Sequence, residues 1–221
     1  MGRSKLAKFA AIGERENVVE PGDERYGQLK GKWRALHFDN NKPLILEVGC
    51  GRGEYTVGMA RLFPEKNFIG SDIKGARLWK GSTLAESEDL SNVAFLRTFI
   101  EQLEDNFDTD EVDEIWITFP DPRPRDRDIK RRLTSPRFLN LYQKILKPDG
   151  ILHLKTDNLA LYAFTLETLQ HELKGKIRDL LYTDDLYTSD LQQHTMSIYT
   201  TYEKRYLAEG VPIKYLQFRF N

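Results

Sequence analysis

The sequence predicts an α/β fold: a doubly wound, mostly parallel sheet with helices on both faces, closed by an antiparallel C-terminal strand. Three observations predict it. Short apolar runs alternate with segments of helical length along most of the chain, the pattern of parallel strands joined by crossover helices. The first such run, LILEV at 44–48, passes directly into glycines at 49, 51 and 53, a turn that lets backbone approach a ligand at the start of a helix. The last segment, IKYLQFRF at 213–220, instead alternates and is rich in β-formers, which suits an added antiparallel strand.

The elements follow in order. Residues 1–25 are charged and weakly patterned and read as a mobile arm, leaving 26–221 as a single domain. Strands are expected at 44–48, 68–73, 93–96, 114–119 and 151–155, and helices at 55–62, 76–87, 136–146 and 159–173. In the third of these helices Phe138, Leu139, Tyr142, Ile145 and Leu146 recur at helical spacing. KPDG at 147–150 is a turn, its proline fixing one torsion and its glycine permitting the next, and it returns the chain to the sheet. A last helix is expected near 199–208, before the closing strand.

With 40% hydrophobic and 11% aromatic residues in 221, the chain has enough apolar surface for one large domain. Cys50 is its single cysteine, so no intrachain disulfide forms, and no apolar run approaches the ~20 residues that span a bilayer. MGRSKLAKFAAIGEREN at the N-terminus lacks the apolar core of a secretory signal, and a cytoplasmic protein is expected. The histidines at 37, 153, 171 and 194 have no ligand spacing, so no metal is expected. Monomer and homodimer both stay open.

Two places carry chemistry. In the glycine turn, Glu47 precedes the first glycine and Glu54 stands where a dinucleotide-binding fingerprint needs its third. A carboxylate beside bare backbone suits a ligand with a cationic amine better than a pyrophosphate. Asp72, 25 positions after Glu47 at the end of the second strand, stands where doubly wound folds hold an acid for ribose hydroxyls. The second place is FPDPRPRDRDIKRRL at 119–133, where Asp121 lies between prolines just past the fourth strand. From Arg123 to Arg132 six basic residues outnumber two acidic ones in a chain of net charge -1. A solvated loop is the plain reading of such a run, and a phosphate-bearing partner the functional one.

The strand ending in ExGxGxG, the acid of strand two and the KPDG turn resemble class I S-adenosylmethionine-dependent methyltransferases. That resemblance implies a Rossmann-like, mostly parallel seven-stranded sheet, with Glu47, Gly49, Gly51, Gly53 and Asp72 at the cofactor. The fuller string FPDPxPxxRxxKRRLTxxxFL, followed by LKTDN at 154–158 and TTYE at 200–203, resembles the bacterial tRNA (guanine-N7-)-methyltransferase family from residue 44 to the C-terminus. It implies methyl transfer from S-adenosylmethionine to N7 of a guanosine in the tRNA variable loop, at nucleotide 46 by tRNA convention. Asp121 is then the candidate catalytic group, which also orients the cofactor. Asp157, Thr200, Thr201, Tyr202 and Glu203 complete the guanosine pocket. Arg125, Arg127, Lys130, Arg131 and Arg132 bind phosphates, with Arg3, Lys5 and Lys8 on the arm. Lys130 to Arg132 are expected to dominate, because Asp126 and Asp128 dilute the segment before them.

The chain departs from the family pattern in three places. Arg123 replaces a tryptophan, and Arg125-Asp126-Arg127-Asp128 replaces KKRH. Phe99 falls at the position of an adenine-binding acid, with Thr98 and Glu101 beside it as substitutes. Two rivals remain: a class I methyltransferase acting on another RNA or protein nitrogen, and a non-catalytic RNA-binding subunit that has lost the cofactor.

Overall fold

The structure, a computed structural model, describes residues 12–221. Eight strands form one sheet: β1 (Val18–Val19), β2 (Leu44–Val48), β3 (Asn67–Asp72), β4 (Val93–Arg97), β5 (Val112–Thr118), β6 (Leu146–Thr156), β7 (Ile177–Thr183) and β8 (Lys214–Phe220). Their order across the sheet is β1-β4-β3-β2-β5-β6-β8-β7. Neighbours from β1 to β6 run parallel, while β8 runs antiparallel to both β6 and β7. The expected architecture is present, and the closing strand is antiparallel as its alternation predicts.

The helices are α1 (Glu54–Leu62), α2 (Gly75–Ser87), α3 (Leu103–Asn106), α4 (Pro136–Ile145), α5 (Leu159–Glu167) and α6 (Thr201–Ala208). Two apolar clusters lie on opposite faces of the sheet. Tyr55, Val57 and Met59 of α1, Leu78 and Ala85 of α2, and Tyr206 and Leu207 of α6 belong to one. Phe138, Leu139, Tyr142 and Ile145 of α4, with Tyr162 and Leu166 of α5, belong to the other. Pro136 opens α4, where its missing N–H costs nothing and its fixed torsion helps.

Four features differ from expectation. The sheet has eight strands where seven were expected. Val18–Val19, inside the expected arm, pairs in parallel with Phe95 and Leu96. Arg15 and Asn17 beside it bond to Ser82 on α2. The arm is therefore packed from Ile12 onward, and Arg3, Lys5 and Lys8 lie outside the described residues. Strand β7 was not expected, since IRDLLYT has an irregular, half-exposed pattern and a register shift between Arg178 and Leu181, with Asp179 at φ 53°. Edge strands are often irregular in this way. KPDG lies within β6 as a bulge: Leu146 pairs with Val112, and pairing resumes at Ile151 with Glu114.

Among the described residues no helix is long and apolar enough to cross a membrane, and no group of three or more His, Cys, Asp or Glu is placed to hold a metal ion.

Candidate active site

The chain switches from one half of the sheet to the other between β2 and β5, the point where open α/β sheets hold ligands beyond their carboxyl ends. A cleft of about 320 Å³ opens there. Its wall brings together the glycine turn and start of α1, the end of β5 at Thr118 and Phe119, Arg77 of α2, and residues 200–202 and 205 of α6.

Glu47, at the cleft floor, is buried. Its carboxylate accepts from the Thr56 amide (2.8 Å), from the Thr56 hydroxyl, and from the Thr118 hydroxyl (2.6 Å). Burial pushes its pKa up to about 7, against the opposing pull of those bonds and with help from the charge of Asp72. Gly49, Gly51 and Gly53 all have positive φ, 74°, 57° and 69°. Their surroundings separate their roles. A Cβ on Gly51 would meet nothing within 4 Å, so its backbone lies bare to open space. A Cβ on Gly53 would lie 2.6 Å from the Phe95 ring, so that glycine lets α1 pack closely on the sheet. Asp72 braces the turn: its carboxylate accepts from the Gly51 amide (3.0 Å) and the Lys74 amide (2.8 Å).

The Thr98 hydroxyl is bonded to that of Tyr26 at 2.7 Å and is buried. Phe99 is 56% exposed. Both follow β4, outside the cleft lining.

At the end of β5, Phe119 adopts φ 47°, a costly conformation for a bulky residue and one that marks a constrained turn. Its amide donates to Lys155 O at 2.8 Å and its ring stacks on Tyr206. Asp121 beyond it is exposed and does not line the cleft. Arg123 holds it through an amide bond and a guanidinium contact, both at 3.2 Å.

The basic run is less available than its sequence implies. Arg131 pairs with Asp128 at 3.3 Å. Arg132, expected among the dominant phosphate ligands, is only 9% exposed. Its guanidinium donates to Arg123 O and lies 4.5 Å over the Phe164 ring, so it fastens the loop to α5 and is not open to a phosphate. Arg125, Arg127 and Lys130 are exposed.

TTYE forms the start of α6. Thr200 caps the helix, accepting from the Glu203 amide while the Glu203 carboxylate accepts from the Thr200 amide, a capping box. Glu203 is fully buried and pairs with buried Lys155 at 2.7 Å, while accepting from the Tyr187 hydroxyl. Glu203, expected to help complete the guanosine pocket, has its carboxylate committed inside the protein. Tyr202 is 56% exposed at the cleft. Asp157 raises the Tyr206 phenol by its charge and a hydrogen bond, with burial adding to the effect, and Tyr206 is the residue that stacks on Phe119.

Sequence reasoning missed Glu54. Its carboxylate accepts from both the amide and the hydroxyl of Thr201, each at 2.6 Å, tying the glycine-turn helix to α6. Burial raises this acid, but the Thr201 bonds and the charges of Lys80 and Arg52 win and hold it below its ordinary range. An acid in the first turn of a helix was the available signal. Arg52, Arg77 and Arg205, also in the cleft wall, have no sequence signal beyond their charge.

The family described as "Putative methyltransferase" matches residues 41–216. The chain is 51% identical to a tRNA (guanine-N(7)-)-methyltransferase of Cytophaga hutchinsonii, over 100% of this chain and 99% of the relative. It is 46% identical to the protein of that name from Bacteroides thetaiotaomicron, over 99% of this chain and 86% of the relative. Among solved structures, the 16S rRNA methyltransferase KamB superposes with a TM-score of 0.62 at 16% identity, covering 90% of this chain and 94% of that one. That likeness concerns the fold alone. Identity along the whole length, with the glycine turn and TTYE meeting in one cleft, places the chain in the tRNA (guanine-N(7)-)-methyltransferase family.

Proposed function

We propose that this protein transfers a methyl group from S-adenosylmethionine to N7 of a guanosine in the variable loop of tRNA, in the cytoplasm. The observation that carries the reading is the convergence, in one cleft at the switch point, of the glycine turn, the end of β5 and the TTYE helix, which lie far apart in sequence.

The cleft fits the cofactor. Bare backbone at Gly51 leaves room for it, buried Glu47 offers a carboxylate to its amine, and Asp72 offers one to its ribose. Outside the cleft lining, exposed Phe99 supplies an apolar face for adenine beside Thr98, whose hydroxyl is bonded to Tyr26, while Gly53 acts through helix packing. When bound, S-adenosylmethionine supplies a methyl group on a sulfonium, and guanine N7 offers a lone pair with no proton to remove. No general base is required, so positioning and charge remain as the protein's contribution. Methylation leaves the guanine ring cationic. Asp121, on its proline-flanked turn, is the carboxylate proposed to stabilise that charge, and base binding has to compete with its contact to Arg123. Tyr202 offers a stacking surface, Thr200 and Thr201 shape the cleft rim, and Asp157 orients Tyr206 beside Phe119. Arg125, Arg127 and Lys130 take phosphates on the loop side, joined by Arg131 once its surface contact with Asp128 is exchanged.

The test is incubation with labelled S-adenosylmethionine and unmodified tRNA, followed by cleavage specific to 7-methylguanosine. Label at the variable loop is expected; label at another base or nucleotide overturns the assignment.

A further inference from the structure

The loop from Arg123 to Arg132 leaves few cations free. Arg123 and Arg131 are paired with acids and Arg132 is buried, so Arg125, Arg127 and Lys130 remain, with Asp126 exposed among them. The loop leads toward the sheet face covered by α4 and α5, since Leu133 packs with that cluster and Arg132 lies over Phe164. A nucleotide drawn out of a folded RNA into a cleft carries a phosphate on each side, and enzymes that extrude a base hold both flanks of the strand.

On the other face, three arginines from three separate elements line the cleft: Arg52 in the glycine turn, Arg77 on α2 and Arg205 on α6. Arg52 and Arg77 are exposed and make no ion pair among the described residues. Arg205 pairs with Glu209 one helical turn away, both well exposed, a contact that solvent screens and a phosphate easily displaces. The carboxylates nearby offset only part of this charge, since Glu54, ionised and within reach of both Arg52 and Lys80, stands against three arginines. Glu47 is buried and bonded to Thr56 and Thr118, and Glu54 is bonded to Thr201. Arginine presents a planar fork of donors that matches two oxygens of a phosphate.

We propose that Arg52, Arg77 and Arg205 form a second phosphate-binding rim, which takes RNA backbone phosphodiesters flanking the nucleotide in the cleft, on the face opposite the 123–132 loop. This inference rests on the tRNA reading above. It divides the phosphate contacts between the two faces of the sheet edge, where the sequence placed them all on one loop and an arm.

The experiment measures binding of an unmodified tRNA transcript at several salt concentrations, and separately of S-adenosylhomocysteine, for the wild type, Arg52→Gln, Arg77→Gln, Arg205→Gln and the triple variant. Lys174→Gln, an exposed cation away from the cleft, controls for net charge. Each rim substitution is expected to weaken tRNA binding and to lower the slope of log affinity against log salt by roughly 0.7–0.9, with unchanged S-adenosylhomocysteine affinity and melting temperature. A triple variant with wild-type tRNA affinity and slope overturns the proposal. So does an equal change from Lys174→Gln, or a loss confined to S-adenosylhomocysteine, which would assign the arginines to the cofactor. A wild type that binds tRNA without salt dependence and does not methylate it overturns the tRNA reading itself, and the rim with it.

Discussion

The ammonium of Lys155 and the carboxylate of Glu203 lie 2.7 Å apart with both side chains at 0% exposure. They join β6, the neighbour of β5 in the sheet, to the first turn of α6. Lys155 also donates to Ile198 O at 3.3 Å and lies 5.3 Å from the Tyr55 ring centre. Burial pulls the lysine pKa down while Glu203 opposes the shift. The K of LKTDN and the E of TTYE are thus two halves of one contact, which sets where the exposed residues of α6 stand at the cleft.

Breaking that pair from one side leaves a buried charge. Glu203→Gln or Lys155→Met is expected to lower unfolding stability by about 3–5 kcal/mol, and the double variant Lys155→Met with Glu203→Gln to recover part of the loss. Urea unfolding of the four proteins checks this. A Glu203→Gln protein of wild-type stability but much reduced turnover would return Glu203 to the substrate.

Glu47 predicts a pH dependence. Its folded-state value, about 7, lies above its ordinary 4.5. The neutral acid is therefore favoured by the fold. This contribution to stability is complete below about pH 4.5 and is lost as pH rises through 7, amounting to roughly 3 kcal/mol across the window. Glu47→Gln is expected to remove that slope from ligand-free protein unfolded in urea between pH 5 and 8. A cationic ligand beside Glu47 favours its ionised form, so S-adenosylmethionine binding near pH 6.5 is expected to release a proton, seen as buffer-dependent heat. No buffer dependence in the wild type counts against Glu47 as the amine's partner.

Asp121 contributes little to the fold, because its contact with Arg123 is at the surface, at 63% and 41% exposure. Asp121→Asn is expected to leave the melting temperature and tRNA affinity close to wild type and to reduce turnover by about 10²–10³. Single-turnover kinetics with saturating tRNA read the chemical step. Equal losses in affinity and rate would make Asp121 a binding group instead.

The Glu54–Thr201 contact joins the start of α1, at the glycine turn, to the start of α6, the elements proposed to hold cofactor and substrate. S-adenosylhomocysteine is expected to tighten tRNA binding, and tRNA to tighten S-adenosylhomocysteine binding by the same factor. Glu54→Ala should bring that factor close to one. Thr201→Ser keeps the hydroxyl and should retain it; Thr201→Val should lose most of it. A factor unchanged in Glu54→Ala would show that the two sites communicate by another route.

The central strands and the glycine turn were legible because buried parallel strands are continuous apolar runs and because a turn with φ above zero calls for glycine. Strand β7 was not, since an edge strand exposed along much of its length carries no clear period. Within the site, motif matching located TTYE and KRRL but gave residue types without directions. Glu203 points inward to Lys155 and Arg132 to Phe164, and both facts depend on groups distant in sequence. Glu54 was read only as a missing glycine, whereas its partner Thr201 lies |i−j| = 147 away.

Strand β8 lies between β6 and β7, and this order has a consequence for synthesis. Strand β7 leaves the ribosome first but has no neighbour in the sheet except β8, so it waits unpaired, whereas α6, between them in the chain, finds its partners Glu54 and Lys155 already made. Both walls of the cleft can therefore meet while translation continues, and the sheet's far edge is completed last, when the reversed strand slots in. A nascent chain thus shapes its cleft before it closes its sheet.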